Sequence, residues 1–300
     1  LHPVAHSFPT RRSSDLGTVA KSFSDTLKIS VLGYELSTQY LLTALPGDPA
    51  MMDFDSDSSW HITLGQSVTT VSPAVNVTDI YGNAVNDQHP VIFKVMQGSG
   101  TLSPGDVTEI TRNTVSGVAQ VSWKLGTAPG DHRLEAASAL NDSPLKKSPL
   151  TFRATTMAGD PEKIKRIQPD SNLVYATAHQ PLLIRVQVTD RWDNAIGNTP
   201  VSFVVKKPDT NKGVLVDAQG QEVESLTITC DDRGFAEVLF KPAITTVTVN
   251  QVEISVDRGP NQQPIYTWVN VVGQAPAAKR MQIISSKSIT VQANALVDID

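Results

Sequence analysis

The stretch VTDIYGNA at residues 77–84 decides the fold of this chain, because a close copy, VTDRWDNA, stands at residues 188–195. The two copies lie 111 residues apart, and Pro49, Pro161 and Pro276 return at a similar spacing. A repeat of this length indicates tandem domains, since each copy is long enough to bury its own core. The sequence therefore predicts an array of modules and not one 300-residue fold.

Apolar and polar residues alternate at matching places in the two repeats, which is typical of strands with one buried face. The inward positions that this alternation predicts are Val75, Val77, Val91, Phe93, Val95, Ala119, Val121, Trp123, Leu134, Ala136 and Phe152 in the first repeat, and Val186, Val188, Val201, Phe203, Val205, Ala236, Val238, Phe240, Val252, Ile254 and Trp268 in the second. In this alignment Phe152 matches Trp268, so both side chains are expected to point into a core.

Turn signals separate these strands at short intervals, for example YGN at 81–83, SPGD at 103–106 and APGD at 128–131. Glycine and asparagine suit positive φ, proline presets φ, and aspartate bonds its own turn backbone. We find no apolar run with helical spacing long enough to indicate a helix. The pattern predicts an all-β fold class, with tandem immunoglobulin-like antiparallel β-sandwich domains in a linear array.

The module boundaries repeat as well, because GDP stands at residues 47–49 and again at 159–161. Short linkers containing proline limit the swing between neighbours, so we expect a semi-rigid, monomeric rod. The predicted organisation is a sequencing-adapter artefact at 1–16, the C-terminal strands of a truncated Ig-like domain at 17–46, complete Ig-like domains at 47–158 and 159–273, and the N-terminal part of another truncated domain at 274–300. In the first truncated domain the residues expected to point inward are Leu27, Ile29, Val31, Tyr40 and Leu42.

One family carries the same residue pattern. The segments VTDIYGNAV (77–85), VIFKVMQGSGTLS (91–103), SGVAQVSWKLGTAPGDHRLEAAS (116–138) and SPLTFRATTMAGDP (148–161) resemble the bacterial Ig-like domain group 1 (Big-1), the module of intimin and invasin stalks. The resemblance covers residues 49–273. The second copy departs from the pattern, with Asp193 in place of Gly82 and PDT at 208–210 in place of GSG.

Composition excludes several classes of function. The net charge is −5 and no cluster of Lys and Arg stands outside residues 1–16, so the footprint of a nucleic-acid-binding protein is missing. No apolar run approaches the roughly 18 residues of a membrane helix, so we expect no membrane-spanning segment in this stretch of chain. One cysteine in 300 residues excludes an internal disulfide framework and leaves the compartment open.

Asp53, Asp55 and Asp57 have the alternate spacing with which calcium loops begin, and oxygen ligands near a linker could stiffen a rod. The EF-hand glycine position holds Ser58 and the twelfth position holds Leu64, so that motif fails. We keep these three aspartates as the only metal candidate beside the alternative of a solvated acidic turn. No other cofactor is expected.

Other residue types that carry chemistry have ordinary structural readings. Asp79 and Asp190 recur at a strand end before an Asn-containing turn, where their oxygens can accept backbone N–H bonds. Cys230 aligns with Asn113 of the first repeat and is expected to be a free thiol at a strand end. The remaining candidates are the histidines His61, His89, His132 and His179, which lack metal-ligand spacing, and the tryptophans Trp60, Trp123, Trp192 and Trp268, of which too few are expected to face outward for a sugar-binding stack.

No catalytic motif is present, so the chain is not expected to be an enzyme. The resemblance implies a structural stalk of an adhesin-like bacterial protein, either anchored at the outer membrane and exposed at the cell surface or secreted. A host or neighbouring-cell surface protein or glycan would then be bound by domains elsewhere in the protein. Two alternatives stay open: a spacer array within a secreted hydrolase, or modules that bind carbohydrate or protein through their loops.

Overall fold

The computed structural model describes residues 25–30, 37–42, 45–65, 67–86, 88–177, 180–243 and 249–274. Every regular element in these ranges is a β-strand, which confirms the all-β prediction. Within the same ranges no helix is present that could cross a membrane. The chain divides into two compact units, Leu1–Asp160 with Asp190–Asn194, and Pro161–Thr189 with Ala195–Asp300.

The described residues of the first unit form fifteen strands. They are β1 (Asp25–Ser30), β2 (Ser37–Leu42), β3 (Met51–Phe54), β4 (Ser59–Thr63), β5 (Thr70–Val71), β6 (Ala74–Thr78), β7 (Pro90–Gln97), β8 (Thr101–Ser103), β9 (Glu109–Asn113), β10 (Val118–Gln120), β11 (Ser122–Lys124), β12 (Gly130–Ala137), β13 (Ala139–Leu140), β14 (Ser143–Pro144) and β15 (Leu150–Met157). Strands β1 and β2 pair only with each other among the described residues, as do β13 and β14.

Strands β3 to β12 and β15 form a two-layered sandwich. One layer is the five-stranded sheet β4-β15-β12-β7-β9, in which β4 runs parallel to β15 and the other neighbours are antiparallel. The opposite layer consists of the sheets β10-β6-β3 and β5-β11-β8. The core between the layers includes Phe93, Trp123 and Phe152, each of them fully buried.

In the second unit, the residues that the structure describes form ten strands in a sandwich of the same kind. They are β16 (Lys163–Gln168), β17 (Leu173–Thr177), β18 (Leu182–Thr189), β19 (Pro200–Lys207), β20 (Val214–Val216), β21 (Glu222–Val223), β22 (Ser225–Thr229), β23 (Phe235–Lys241), β24 (Val249–Val256) and β25 (Ile265–Gln274). The two sheets have the orders β16-β18-β23-β20-β21 and β17-β25-β24-β19-β22, with β17 parallel to β25. A separate core fills this sandwich, with Phe203, Phe240 and Ile254 fully buried.

The alternation predicted the two cores well. All the predicted inward residues of both repeats are buried, apart from Val95, which is half-buried, and Trp268. Trp268 is 39% exposed, so the prediction that it points inward is wrong. Leu134 faces Phe152 across β12 and β15, whereas the equivalent Val252 faces Val269 across β24 and β25. Phe152 therefore corresponds to Val269. The alignment that matches Phe152 with Trp268 is wrong by one residue, and a shift of one residue moves a side chain to the opposite face of its strand.

The inward prediction for the first truncated domain fails where it can be compared. Ile29 is 41% exposed and Tyr40 is 54% exposed, because the two-stranded ribbon β1-β2 has no second layer against it among the described residues. The side chains of Leu27, Val31 and Leu42 lie outside the description, as do residues 1–24 and 275–300.

Candidate functional site

Asp79 lies in the turn directly after β6 of the first sandwich, and the residue is only 1% exposed. Its Oδ1 accepts hydrogen bonds from the backbone N–H groups of Tyr81 and Asn83, both at 2.9 Å. Its Oδ2 accepts the backbone N–H of Gly47 and the Nδ2 amide of Asn83, also at 2.9 Å. Because Gly47 lies in the linker before β3, this carboxylate ties the linker to the end of β6.

Asp190 repeats this arrangement atom for atom and is also 1% exposed. Its Oδ1 accepts the backbone N–H groups of Trp192 at 2.8 Å and of Asn194 at 2.9 Å. Its Oδ2 accepts the backbone N–H of Gly159 at 3.0 Å and the Asn194 Nδ2 amide at 2.8 Å. We call each carboxylate with its linker glycine and turn asparagine an aspartate clamp: Asp79 with Gly47 and Asn83, and Asp190 with Gly159 and Asn194.

The clamps keep their aspartates ionised. Burial by itself raises the pKa of the Asp79 carboxyl, but the hydrogen bonds from Asn83, Gly47 and Tyr81 outweigh burial and hold that pKa below its ordinary value. The same balance, with donors from Asn194, Gly159 and Trp192, lowers the pKa of Asp190. Each clamp therefore presents a charged acceptor to its linker, which is stronger than a neutral one.

The residue at the linker position of the second clamp has a steric requirement. A Cβ on Gly159 would lie 2.1 Å from the carbonyl oxygen of Leu64, a distance that no side chain tolerates. The adjacent strands are joined at this point by the hydrogen bond from the Leu64 N–H to the Met157 carbonyl, at 2.9 Å. Glycine therefore lets the linker pass close to the end of the β4 segment on its way to Asp190.

The turn residues of the two clamps also differ. The segment Asp190–Asn194 belongs to the first unit, where the Trp192 Nε1 donates to the Gly65 carbonyl at 3.1 Å and the Asn194 Nδ2 donates to the Thr127 carbonyl at 2.7 Å. Tyr81, the residue equivalent to Trp192, is 62% exposed. An aromatic residue thus stands at the same position of both turns, once hydrogen-bonded and once open to solvent.

Of the calcium candidates, Asp53 lies on β3, and Asp55 and Asp57 lie between β3 and β4, where the chain crosses from one layer of the first sandwich to the other. Asp53 forms an ion pair with Lys147 and accepts the Phe54 N–H at 3.0 Å, and the hydrogen bond from Lys147 is the main reason for its lowered pKa. In the ranges that the structure describes, no three His, Cys, Asp or Glu side chains are grouped so that they could hold a metal ion. The calcium hypothesis for Asp53, Asp55 and Asp57 stays a prediction.

The described histidines have separate surroundings. His61 is exposed, and the Nε2 of the half-buried His89 lies 2.7 Å from the Ser138 Oγ. His132 is 4% exposed and its Nε2 lies 3.1 Å from the Thr156 Oγ1. His179 lies outside the described residues.

Cys230 is buried, and its position corrects the alignment used above. Its N–H donates to the Thr199 carbonyl at 2.9 Å, as the Thr114 N–H donates to the His89 carbonyl at 2.8 Å in the first unit. Cys230 is therefore equivalent to Thr114, one residue beyond the Asn113 expected from sequence. Burial raises the pKa of the thiol to about 11, which keeps it protonated and unreactive at neutral pH.

An exposed aromatic pair is the feature that the sequence reasoning missed. Tyr266 and Trp268 are 53% and 39% exposed, and their ring centroids lie 6.5 Å apart with planes 16° from parallel. Trp60, by contrast, is half-buried and stacks on Phe152 at 6.1 Å. The sequence of β25 contained the signal that Trp268 faces outward. Val269 and Val271 stand at alternate positions, so taking both valines as core residues places Trp268 on the opposite face.

A shallow depression of 490 Å³ adjoins the first clamp and is lined in part by Gly47, Asp48, Val85 and His89. The Nε2 of His89 already lies within hydrogen-bonding distance of the Ser138 Oγ. The depression therefore lies beside the linker residue Gly47, with the hydrogen-bonded His89 at its border.

No family model matches the chain. Among solved structures, an adhesin of Yersinia pseudotuberculosis is similar with 15% identity and a TM-score of 0.32, over 73% of this chain and 58% of that one. An Escherichia coli adhesin is similar with 14% identity and a TM-score of 0.38, over 77% and 67% respectively. A β-glycosidase of Bacteroides vulgatus is similar with 12% identity and a TM-score of 0.29, over 75% of this chain and 25% of that one.

This chain thus spans 58% of the length of the Yersinia adhesin and a quarter of the glycosidase. The class of the protein follows from its own strand order: it contains immunoglobulin-like β-sandwiches, each with two layers and with a parallel pair at the edge of one sheet.

Proposed function

We propose that this chain is a non-enzymatic stalk segment of a bacterial surface or secreted protein, built from Big-1-type modules. In this role the modules hold a binding domain, carried elsewhere in the protein, away from the cell. The partner of that domain would be a surface protein or glycan of a host or neighbouring cell. The segment itself would act as a monomer without a cofactor and without contact to nucleic acid.

The observation that carries this proposal is the repeated aspartate clamp. A spacer needs linkers that resist bending, and an unrestrained linker residue loses about 1–2 kcal/mol of backbone entropy when it becomes ordered. Two buried carboxylates each fix a linker glycine by a charge-assisted hydrogen bond, at 2.9 Å for Gly47 and 3.0 Å for Gly159. Such bonds contribute about 1.5–3 kcal/mol, which is enough to offset that entropy.

The separate cores support the same role. Each sandwich buries its own phenylalanines, Phe93 and Phe152 in one and Phe203 and Phe240 in the other. A module with its own core can be repeated without changing its neighbours, as in other modular arrays. Additional copies would therefore lengthen the stalk without a new folding problem.

A reach experiment tests the proposal. Residues 47–273 would be placed between an outer-membrane anchor and an epitope tag, and the height of the tag above the membrane would be measured by site-specific fluorescence quenching. The matched control replaces this segment by a Gly/Ser linker of equal length, whose root-mean-square span is about 80 Å. A stalk places the tag farther out, and with less spread, than the flexible linker.

Equal reach for both inserts would contradict the stalk. The spacer-in-a-hydrolase alternative predicts the same reach, and it is distinguished by the parent protein: hydrolysis of a polysaccharide or peptide by the intact protein, lost on mutation of a domain outside residues 47–273, would favour it.

A further inference from the structure

The outer face of β25 carries two large aromatic residues that the fold does not need. Tyr266 and Trp268 occupy alternate positions of the strand, while Val269 and Val271 on the other face fill the core. The two exposed rings lie 6.5 Å apart and 16° from parallel. Exposed Trp and Tyr in a near-parallel pair present flat apolar surface with polar edges, which suits the binding of a ligand that is partly apolar and partly polar.

Within the described part of the chain, this pair belongs to the second sandwich and has no counterpart at the equivalent positions of the first. The register of β15 and β25 makes Thr151 the equivalent of Trp268, and Pro149 the equivalent of Tyr266. Neither can offer an aromatic face. The pair is therefore an addition to the common module and not part of what makes the module fold.

Polar side chains surround the rings on the same face of the sheet. Glu253 stands opposite Trp268 on β24, and Ser255 stands opposite Tyr266. The Glu253 carboxylate lies 3.4 Å from the Lys206 ammonium, and the Gln251 amide lies 3.4 Å from the Asn270 Oδ1. A carboxylate, an ammonium, a hydroxyl and two amides thus border an aromatic surface.

A third aromatic ring extends the surface along the sheet. Tyr175 on β17 is 61% exposed and pairs with Val272, four residues beyond Trp268 along β25. At about 3.3 Å per residue, four residues correspond to about 13 Å. We call Tyr266, Trp268 and Tyr175 the aromatic strip.

We propose that the aromatic strip of the second sandwich, with its border of Glu253, Lys206, Asn270 and Gln251, binds a carbohydrate chain. One face of a pyranose ring presents C–H groups with a small positive charge, which are attracted to the negative face of an aromatic ring. The hydroxyl groups at the rim of the sugar both donate and accept, as the mixed border requires. The length of the strip suits an oligosaccharide and exceeds a monosaccharide.

The composition of the border favours a sugar over a protein partner. Lys and Glu are depleted from protein interfaces because they must be desolvated there. Lys206 keeps 47% of its side chain exposed and Glu253 keeps 15%, so the ammonium is the more accessible partner for hydrogen bonds with a wet, polar ligand. This inference does not depend on the stalk proposal, since a sandwich of any origin could carry the strip.

The test is a glycan array carrying neutral, acidic and amino-sugar oligosaccharides, probed with the full chain. The positive glycans would then be titrated in solution and followed by tryptophan fluorescence. Trp268→Ala removes the central ring and is expected to weaken binding about tenfold or more, and Tyr266→Ala about threefold to tenfold. Tyr81→Ala, which removes an aromatic residue of the first sandwich that is 62% exposed, is the matched control and should change nothing.

Three results would overturn the inference: no glycan bound by the chain, binding that survives in Trp268→Ala, or binding that Tyr81→Ala abolishes equally. A fourth result would replace it, namely self-association in sedimentation that Trp268→Ala abolishes without any bound glycan. Unchanged thermal unfolding of each variant shows that a loss of binding is not a loss of fold, as expected for side chains on an outer face.

Discussion

The two sandwiches have the same strand order but fill one equivalent core region differently. The first places Trp123 on β11 and His132 on β12, whereas the second places Phe240 on β23 and Asn250 on β24. All four are buried. The difference shows that the module accommodates either an imidazole or an amide at the same buried position, each within hydrogen-bonding distance of a neighbour.

His132 and Asn250, the buried polar residues at this position, make different hydrogen bonds in the two sandwiches. Thr156 Oγ1 donates to the Ala128 carbonyl at 3.0 Å, so His132 must donate its Nε2 proton to Thr156. The Asn250 Oδ1 accepts the backbone N–H of Gly213 at 2.8 Å. Asn250 thereby holds the loop residue Gly213, whereas His132 bonds Thr156 on β15, and only the histidine can gain a charge as the pH falls.

The two sandwiches also differ in whether the strands of their layers are continuous. In the first sandwich Ser72 and Pro73 separate β5 from β6, whereas the equivalent β18 runs unbroken through Ile184. Proline has no N–H to give to the ladder, so the strand divides there. The second sandwich therefore has two continuous five-stranded sheets, and the first has one.

The largest expected effect tests whether the two cores are separate. Phe93→Ala and Phe203→Ala each remove a fully buried ring and should lower the free energy of unfolding of their own sandwich by about 3–5 kcal/mol. Denaturant titration followed by amide exchange, assigned to each sandwich, measures this. Ile92→Ala on the same strand as Phe93, with a side chain 44% exposed, is the control and should have a small effect. Equal destabilisation of both sandwiches by Phe93→Ala would show a shared core.

The next effect concerns the clamps. Asp79→Ala and Asp190→Ala each leave backbone N–H groups without their charged acceptor and should cost about 2–3 kcal/mol in their own copy. The control is Asp231→Ala, because Asp231 makes the same two turn bonds, to the N–H groups of Arg233 and Phe235, but no bond to a linker. Denaturant melts and the exchange rate of the Gly47 and Gly159 amides distinguish the cases. If Asp79→Ala or Asp190→Ala lost no more stability than Asp231→Ala, the hydrogen bond to the linker would have no stabilising role of its own.

The clamps also make the free energy of unfolding depend on pH in the acid range. The folded chain binds a proton at Asp79 more weakly than the unfolded chain does, since its pKa is lowered from 3.8. The stabilisation is therefore complete above pH 3.8 and is lost as the pH falls through the folded-state pKa. Asp79→Asn should flatten this part of the pH profile of unfolding, and a profile as steep as that of the parent would contradict it.

The smallest expected effect tests the histidine–asparagine difference. His132→Asn should cost about 1 kcal/mol at pH 8, since the hydrogen bond to Thr156 is lost. Burial lowers the pKa of His132, although the nearby Asp131 opposes it, so the neutral ring stabilises the fold fully above pH 6.5 and progressively less as the pH falls through the folded-state pKa. The variant should therefore approach the parent in stability near pH 5. A constant difference from pH 8 to pH 5 would show that His132 does not titrate on unfolding.

Sequence alone was sufficient for the fold class and for most of the two cores. Alternation in strands such as β7 and β19 marks the inward face directly, because side chains of a strand point to opposite faces in turn. The turn role of Asp79 and Asp190 was also readable, since an Asp before an Asn-containing turn has few other uses. Their bonds to Gly47 and Gly159 were not readable, because they join residues more than 30 positions apart.

What the sequence by itself determined is the module: a β-sandwich, its repetition and most of its hydrophobic positions, all of which follow from local periodicity and turn chemistry. Tertiary structure alone decided which residues meet across the sheets. The register of β24 and β25 places Glu253 opposite Trp268 and Ser255 opposite Tyr266, which gives the exposed rings their polar neighbours. Register depends on pairing between strands, which no local pattern specifies to the residue.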